Sequence, residues 1–166
     1  MTAMPFTPFH LGPALAIGLP LRKVIHAPTF IVANVIVDVE PLTVIILGLN
    51  YPYHGYVHTF LGACLLGLLT ALVMQVLEPS LRNLWKTLRL ETDVKPRTRA
   101  YIAAGVGGTL LHVLLDSPLY TDIRPFYPWL ENPLFNPATT PYIYGFCVVT
   151  GIIGLAYYLL ILVRPD

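Results

Sequence analysis

Charge is what this chain has least of. Only 11% of its 166 residues are Asp, Glu, Lys or Arg, against roughly 25% in a soluble domain, so an ordinary solvated surface is excluded. Cysteine is nearly absent. The two present, Cys64 and Cys147, lie inside apolar runs, which argues against a disulfide framework or a thiol centre and for small buried hydrophobes. No basic stripe interleaved with aromatics accompanies the net charge of +1, so nucleic acid is not an expected partner. The N-terminus has no basic region ahead of its first apolar stretch and no clear cleavage site, so a removable signal peptide is not expected. Internal repeats and low-complexity tracts are also lacking.

Apolar residues are abundant: 55% of the chain is hydrophobic and the mean hydropathy is +0.67. Several runs approach the ~20 residues that cross a bilayer. This predicts an all-α integral membrane bundle of about five transmembrane segments, forming a single domain over residues 1–166. The first segment, about 6–21, carries Pro8, Pro13 and Pro20 and would either cross with a bend or re-enter. The second, about 28–49, starts on Pro28 and meets Pro41, which should kink or break it. The third begins near residue 53 and should end at Glu78-Pro79. Residues 79–99 place Leu81, Leu84, Trp85 and Leu88 on one helical face, as expected of a surface-lying or connecting helix. The fourth segment, about 99–116, has Gly105, Gly107 and Gly108 for close helix contact. A Pro-rich loop, 118–141, carries Asp122, Arg124, Tyr120, Phe126, Tyr127, Trp129 and Phe135, and its aromatics predict a folded cap at the membrane interface. The last segment, about 142–163, lacks ionisable groups and reads as scaffold.

Lys and Arg set the orientation. Nine of the ten basic residues, Arg164 among them, fall on one side if five segments cross, and only Arg124 lies opposite. The populated side is assigned to the cytoplasm, with the N-terminus outside, the C-terminus inside, and the cytoplasmic membrane as host.

The rare ionisable residues are concentrated where they are costly. His10, Asp38 and Glu40, His54 and His58, and His112 and Asp116 lie in or beside the apolar segments. The stretch at 53–59 reads Tyr-His-Gly-Tyr-Val-His-Thr; on a helix its two histidines, four apart, would share a face, as would His112 and Asp116. An unpaired carboxylate at depth costs a few kcal/mol. Helical rise puts Asp38, His10 and His112 in the outer half, while His58 reaches it only if its helix tilts or dips. Converging imidazoles and carboxylates suit zinc, with manganese or iron as alternatives, as one ion or two. Neutral Asn or Ser would hold helices together at lower cost. His26, in the basic loop, is expected to be a plain surface histidine.

Four pieces in order resemble a family. Thr7-Pro-Phe-His10, Asp38-Val-Glu40, His54-Gly-Tyr-Val-His58-Thr59 and His112-Val-Leu-Leu-Asp116 are similar to the pattern of the YdjM-like membrane-bound metal-dependent hydrolases of bacterial inner membranes. That pattern runs Thr-x-x-His, Asp-x-Asp, Arg-Gly-x-Thr-His-Ser, His-x-x-x-Asp, and the likeness covers about residues 7–130. Glu40 stands for the second Asp, Pro41 for a frequent His, His54 for the Arg and Val57 for the Thr. The resemblance implies Asp38, His58, His112 and Asp116 as metal ligands, with His10 beside them. Glu40 and His54 are left as ligands, supporting partners or proton-transfer groups. The ligand set also resembles, more distantly, that of zinc-dependent phospholipases C.

The leading expectation is therefore a metal-dependent hydrolase, phosphoesterase-like, acting on a lipid or lipid-linked substrate at the outer leaflet. Glu40 is expected to act as base or to orient water, and Arg124 to hold a phosphate or simply to snorkel at the interface. The alternatives are an ion, metal or proton transporter and a scaffold with structural His–carboxylate pairs.

Overall fold

Backbone groups of an apolar chain in a bilayer must find partners within their own segment, which leaves helices as the solution for a chain of this kind. The computed structural model describes residues 8–90 and 96–163, and every regular element in them is helical. Thr7, used above for the first motif, and Lys95 and Arg164, counted for the orientation, lie outside the described residues.

The elements in order are α1 (Leu11–Gly18), α2 (Ala27–Ile36), α3 (Val39–Leu47), α4 (Phe60–Thr87), α5 (Thr98–Asp116) and α6 (Thr140–Val163), with single 3-10 turns at Pro8–His10, Tyr56–His58 and Pro137–Thr139. Four stretches are long and apolar enough to cross a membrane: Ala27–Leu47, Phe60–Thr87, Thr98–Asp116 and Pro137–Val163. Their outward faces are apolar: Leu61, Leu65, Leu69, Leu72 and Val76 on α4 and Ile152, Ile153 and Leu155 on α6 are all exposed. Such contiguous apolar surface belongs against lipid. The first segment has only the eight-residue α1 as regular helix.

α5 is the central helix, packed on α2 and on α4, while α6 joins the bundle through α1. Two glycines of α5 make that position available. A Cβ at Gly105 would strike the carbonyl oxygen of Gly67 on α4, and one at Gly108 would strike Ala33 and the Phe30 carbonyl on α2. Gly107 meets nothing closer than a Phe30 ring carbon at 3.6 Å, so two of the three expected glycines carry the close contacts.

Three sequence expectations change. Pro41 does interrupt the second segment, but the break falls at Val37 and Asp38, between α2 and α3. Pro41 has no N–H for the Val37 carbonyl, which takes a tighter bond from Glu40 N–H at 3.2 Å instead. The described residues of 79–99 form no separate surface helix: α4 runs through Pro79 to Thr87. Trp85 is buried with Ala71, Met74 and Tyr101, and Leu81 packs against that cluster, so long-range packing carries the helix past its proline. Finally, His54 and His58 do not share a helix. Pro52 and Gly55 hold the chain in turns, and α4 starts only at Phe60, capped by the Thr59 hydroxyl accepting from Gly62 N–H at 2.9 Å.

The loop at 118–141 is folded against the bundle. Asn132 donates to the Ser117 carbonyl at 2.8 Å, Phe60 N–H donates to the Pro125 carbonyl at 2.8 Å, and Ile123 is fully buried. Phe126 sits edge-on to Phe60, and Tyr127 to Tyr56. Cys64 and Cys147 are free thiols, half-buried and buried.

Candidate metal centre

The break after α2 puts Asp38 where its backbone turns, at the same level as the end of the 3-10 turn carrying His58 and the last turn of α5 carrying His112 and Asp116. One donor atom from each of these four lies within 4.8 Å of the other three, and all four residues are buried. His112 Nε2 is 3.4 Å from Asp38 and 3.2 Å from Asp116. Ligand atoms around a tetrahedral ion at about 2.0–2.2 Å stand about 3.3–3.6 Å apart, so these spacings match a shared ion.

The tautomers decide what the cluster wants. His112 Nδ1 is 2.6 Å from the Asn34 carbonyl, and a carbonyl only accepts, so Nδ1 carries the hydrogen and the Nε2 lone pair faces two carboxylates. His58 Nδ1 donates to Glu40 at 2.8 Å, leaving its Nε2 bare and buried. His54 repeats the arrangement: Nδ1 donates to Asp122 at 2.9 Å and Nε2 is buried without a partner. An imidazole oriented through one nitrogen by a carbonyl or carboxylate, with the other nitrogen free, is the usual arrangement of a metal-bound histidine. A proton on His112 Nε2 would satisfy that ring but would give nothing to the bare Nε2 of His58. A cation serves both.

Glu40 is fully engaged with the 51–58 loop. One oxygen accepts from His58 and from Gly55 N–H at 3.0 Å; the other accepts from Val57 N–H at 3.1 Å and from the Tyr51 hydroxyl at 3.4 Å. It fixes His58. His10, at the end of the first 3-10 turn, reaches Asp116 through Nε2 at 3.0 Å and lies over the His112 ring at 4.0 Å. His54 flanks the four-residue group, 4.7 Å from the His58 ring and 4.3 Å from Tyr120. Arg124 is exposed on the loop, and no contact links it to the group.

Asp122, read in the sequence only as a loop acid, is the partner of His54, and it also accepts the His54 backbone N–H at 3.1 Å. Burial alone would raise its carboxyl; the hydrogen bonds it accepts from the side chain and backbone of His54 outweigh that and hold it below the ordinary carboxylate range. Its only sequence signal was being the single Asp or Glu between Asp116 and Glu131.

His26 corrects its expectation. It is buried, with Nδ1 2.7 Å from the Thr29 hydroxyl, Nε2 3.2 Å from Glu78 and its ring 4.3 Å from Tyr101. Arg22 and Lys23 precede it in sequence, but its side chain is turned inward to Thr29 on α2, Glu78 on α4 and Tyr101 on α5.

No family model, no curated protein and no solved structure matches the chain. The functional reading therefore rests on the residues and their geometry.

Proposed function

We propose that this chain is an integral membrane metal-dependent hydrolase of the YdjM-like kind, acting as a phosphoesterase on a lipid or lipid-linked substrate. The observation that carries the reading is the pair of imidazoles, His58 and His112, each fixed through Nδ1, within a buried group whose donor atoms and those of Asp38 and Asp116 lie within 4.8 Å of one another. Asp38, His58, His112 and Asp116 would hold the ion, with His10 and His54 at its margin; zinc suits the donors, and a second ion would draw on His54. The ion supplies Lewis-acid polarisation of an oxygen and activation of water near neutral pH. Glu40 keeps the His58 ring in place, and Asp122 does the same for His54. Arg124 stands on the cap, where an incoming phosphate would meet it.

Placement supports a lipid substrate. The group lies at the end of the bundle covered by the aromatic loop, which we assign to the outer half of the cytoplasmic membrane. The described basic residues other than Arg124 gather at the opposite end, supporting a cytoplasmic assignment there. The first segment links the two ends, from His10 at the cluster to Arg22 at the basic end, and we read it as the fifth, bent crossing. A transport path is less well supported: between the ends, Thr70 donates to the Leu66 carbonyl at 2.8 Å and Thr109 to the Ala63 carbonyl at 2.7 Å, and the described residues there form no chain of titratable stations.

The test is metal content and turnover of detergent-solubilised protein, wild type beside Asp38→Ala and His112→Ala. The reading expects bound divalent metal and chelator-sensitive cleavage of a phospholipid phosphoester in wild type, both lost in folded variants. Metal-loaded protein that cleaves no phospholipid would overturn the hydrolase reading. Wild type that takes up no metal would overturn the centre itself.

A further inference from the structure

His112 is held by a carbonyl that a continuous helix would not have left free. Its Nδ1 lies 2.6 Å from the carbonyl oxygen of Asn34 on α2. In an unbroken α-helix that oxygen would accept the N–H of Asp38, four residues on. The Asp38 N–H donates instead to the Val35 carbonyl at 3.1 Å, and α2 ends at Ile36.

The shift traces to Pro41. A proline inside a helix withholds one N–H, and its ring crowds the carbonyl four residues back, here that of Val37. The chain tightens ahead of it. Glu40 N–H donates to Val37 at 3.2 Å and Asp38 N–H to Val35 at 3.1 Å, both across three residues instead of four. The four-residue pattern resumes at Leu42, whose N–H donates to the Asp38 carbonyl at 3.1 Å. The Asn34 carbonyl is thereby released.

A released carbonyl among apolar helices needs a donor, and α5 delivers one. Gly108 lies so close to the Phe30 carbonyl that a Cβ would come within 2.7 Å of it. One turn further along each helix, the same approach sets His112 against Asn34. The ring keeps its hydrogen on Nδ1 and presents Nε2 to Asp38 and Asp116, 3.4 and 3.2 Å away.

We propose that Pro41 is a positioning residue of the centre: by interrupting the helix it frees the Asn34 carbonyl to fix the His112 ring with Nε2 toward the ion. One break thus turns the chain at Asp38 and orients the histidine that faces Asp38. The proposal rests on the metal reading of the four-donor group and not on the reaction assigned to it.

The experiment uses full-length protein in detergent, labelled with 15N-histidine, as wild type, Pro41→Ala and Pro41→Gly. Both variants remove the ring and restore the N–H, but alanine favours a continuous helix and glycine does not. The first readout is the one-bond 15N–1H signal of His112 Nδ1 in metal-free protein, assigned by its absence from His112→Gln. The second is zinc affinity by chelator competition. Wild type should show a low-field, slowly exchanging Nδ1–H. Pro41→Ala should lose it and bind zinc about 10–100-fold more weakly, with Pro41→Gly nearer wild type in both. A wild type without the signal overturns the proposal whether or not the variants fold. So does a Pro41→Ala protein that keeps the signal, even with weakened zinc binding, because Pro41 would then act by some other route. Equal loss in both variants assigns the effect to the missing ring and contradicts the helix argument. Because the signal is read without metal, its failure belongs to this proposal. A wild type with the signal and no zinc uptake is a failure of the metal reading, and the proposal falls with it.

Discussion

Replacing Glu40 by Gln tests the reading of the centre most directly, because the change is nearly isosteric and leaves all four residues of the four-donor group in place. Glu40 accepts from four donors, two at each oxygen: His58 Nδ1 and Gly55 N–H on one side, Val57 N–H and the Tyr51 hydroxyl on the other. Glutamine has one oxygen. The better orientation keeps it toward His58 and turns the amide NH2 toward Val57 and Tyr51, where the tyrosine hydroxyl can reverse but the Val57 N–H cannot. The His58 bond then falls from a charge-assisted to a neutral one, a loss of about 1 kcal/mol, and one backbone N–H goes unsatisfied at about 1–3 kcal/mol. Part of that is borne by the loop in both metal-free and metal-bound protein. Metal affinity should therefore drop about 10–100-fold, or about 1.4–2.8 kcal/mol. Competition between the solubilised protein and a fluorescent chelator, with zinc and then manganese, reads this directly. Glu78→Gln, at the far end of the bundle, is the control and should leave affinity unchanged. An E40Q protein that binds both metals within about twofold of wild type would refute the claim that Glu40 acts by holding a ligand histidine.

Other predictions follow from the same contacts. Saturating zinc at about 100 times its Kd should stabilise wild type by about 2.7 kcal/mol, read as a rise in Tm that chelator reverses, with no rise in Asp38→Ala or His112→Ala. Gly105→Ala should destabilise by about 1–3 kcal/mol through its collision with the Gly67 carbonyl, whereas Gly107→Ala, with open space, should be neutral or gain up to about 1 kcal/mol of helix propensity; thermal unfolding of the pair in detergent separates them. Because the folded-state carboxyl of Asp122 titrates below its unfolded value, its contribution to stability is present above about pH 4 and is lost as pH falls through the lower folded value. Asp122→Asn should flatten that acid limb of a stability–pH profile, and should weaken metal binding less than E40Q, since His54 stands outside the four-donor group.

Asp38, His112 and Asp116 were legible in the sequence because ionisable side chains in apolar helices are expensive and must converge on something. The helices themselves followed from long apolar runs, and the proline break from Pro41. What the sequence hid were contacts spanning many residues. His26 looked like surface because Arg22 and Lys23 precede it, but its carboxylate partner is Glu78. Pro79 looked like a terminus because the packing of Trp85 against Tyr101 lies outside any local window. His54 and His58 were placed on a helix by their spacing alone. Thr59, an ordinary N-cap residue three before Gly62, and Gly55 after Pro52 were the local signs that the helix begins later. The role of Asp122 depends on a loop folding back over 68 positions of sequence, which no periodicity reports.

The discontinuity between α2 and α3 also bears on how the chain enters the membrane. Asp38 is synthesised 74 residues ahead of His112, roughly 4–15 s at ordinary rates of elongation. Through that interval its carboxylate sits in a nascent segment without the imidazole that later faces it, and carries the insertion cost alone. The break at Val37 and Asp38 ends the helix before the charge, so a segment still without α5 can bend there and let water and lipid headgroups reach the carboxylate. The centre is thus completed only when α5 docks, and biogenesis, more than the finished fold, is where the acidity of this position is felt.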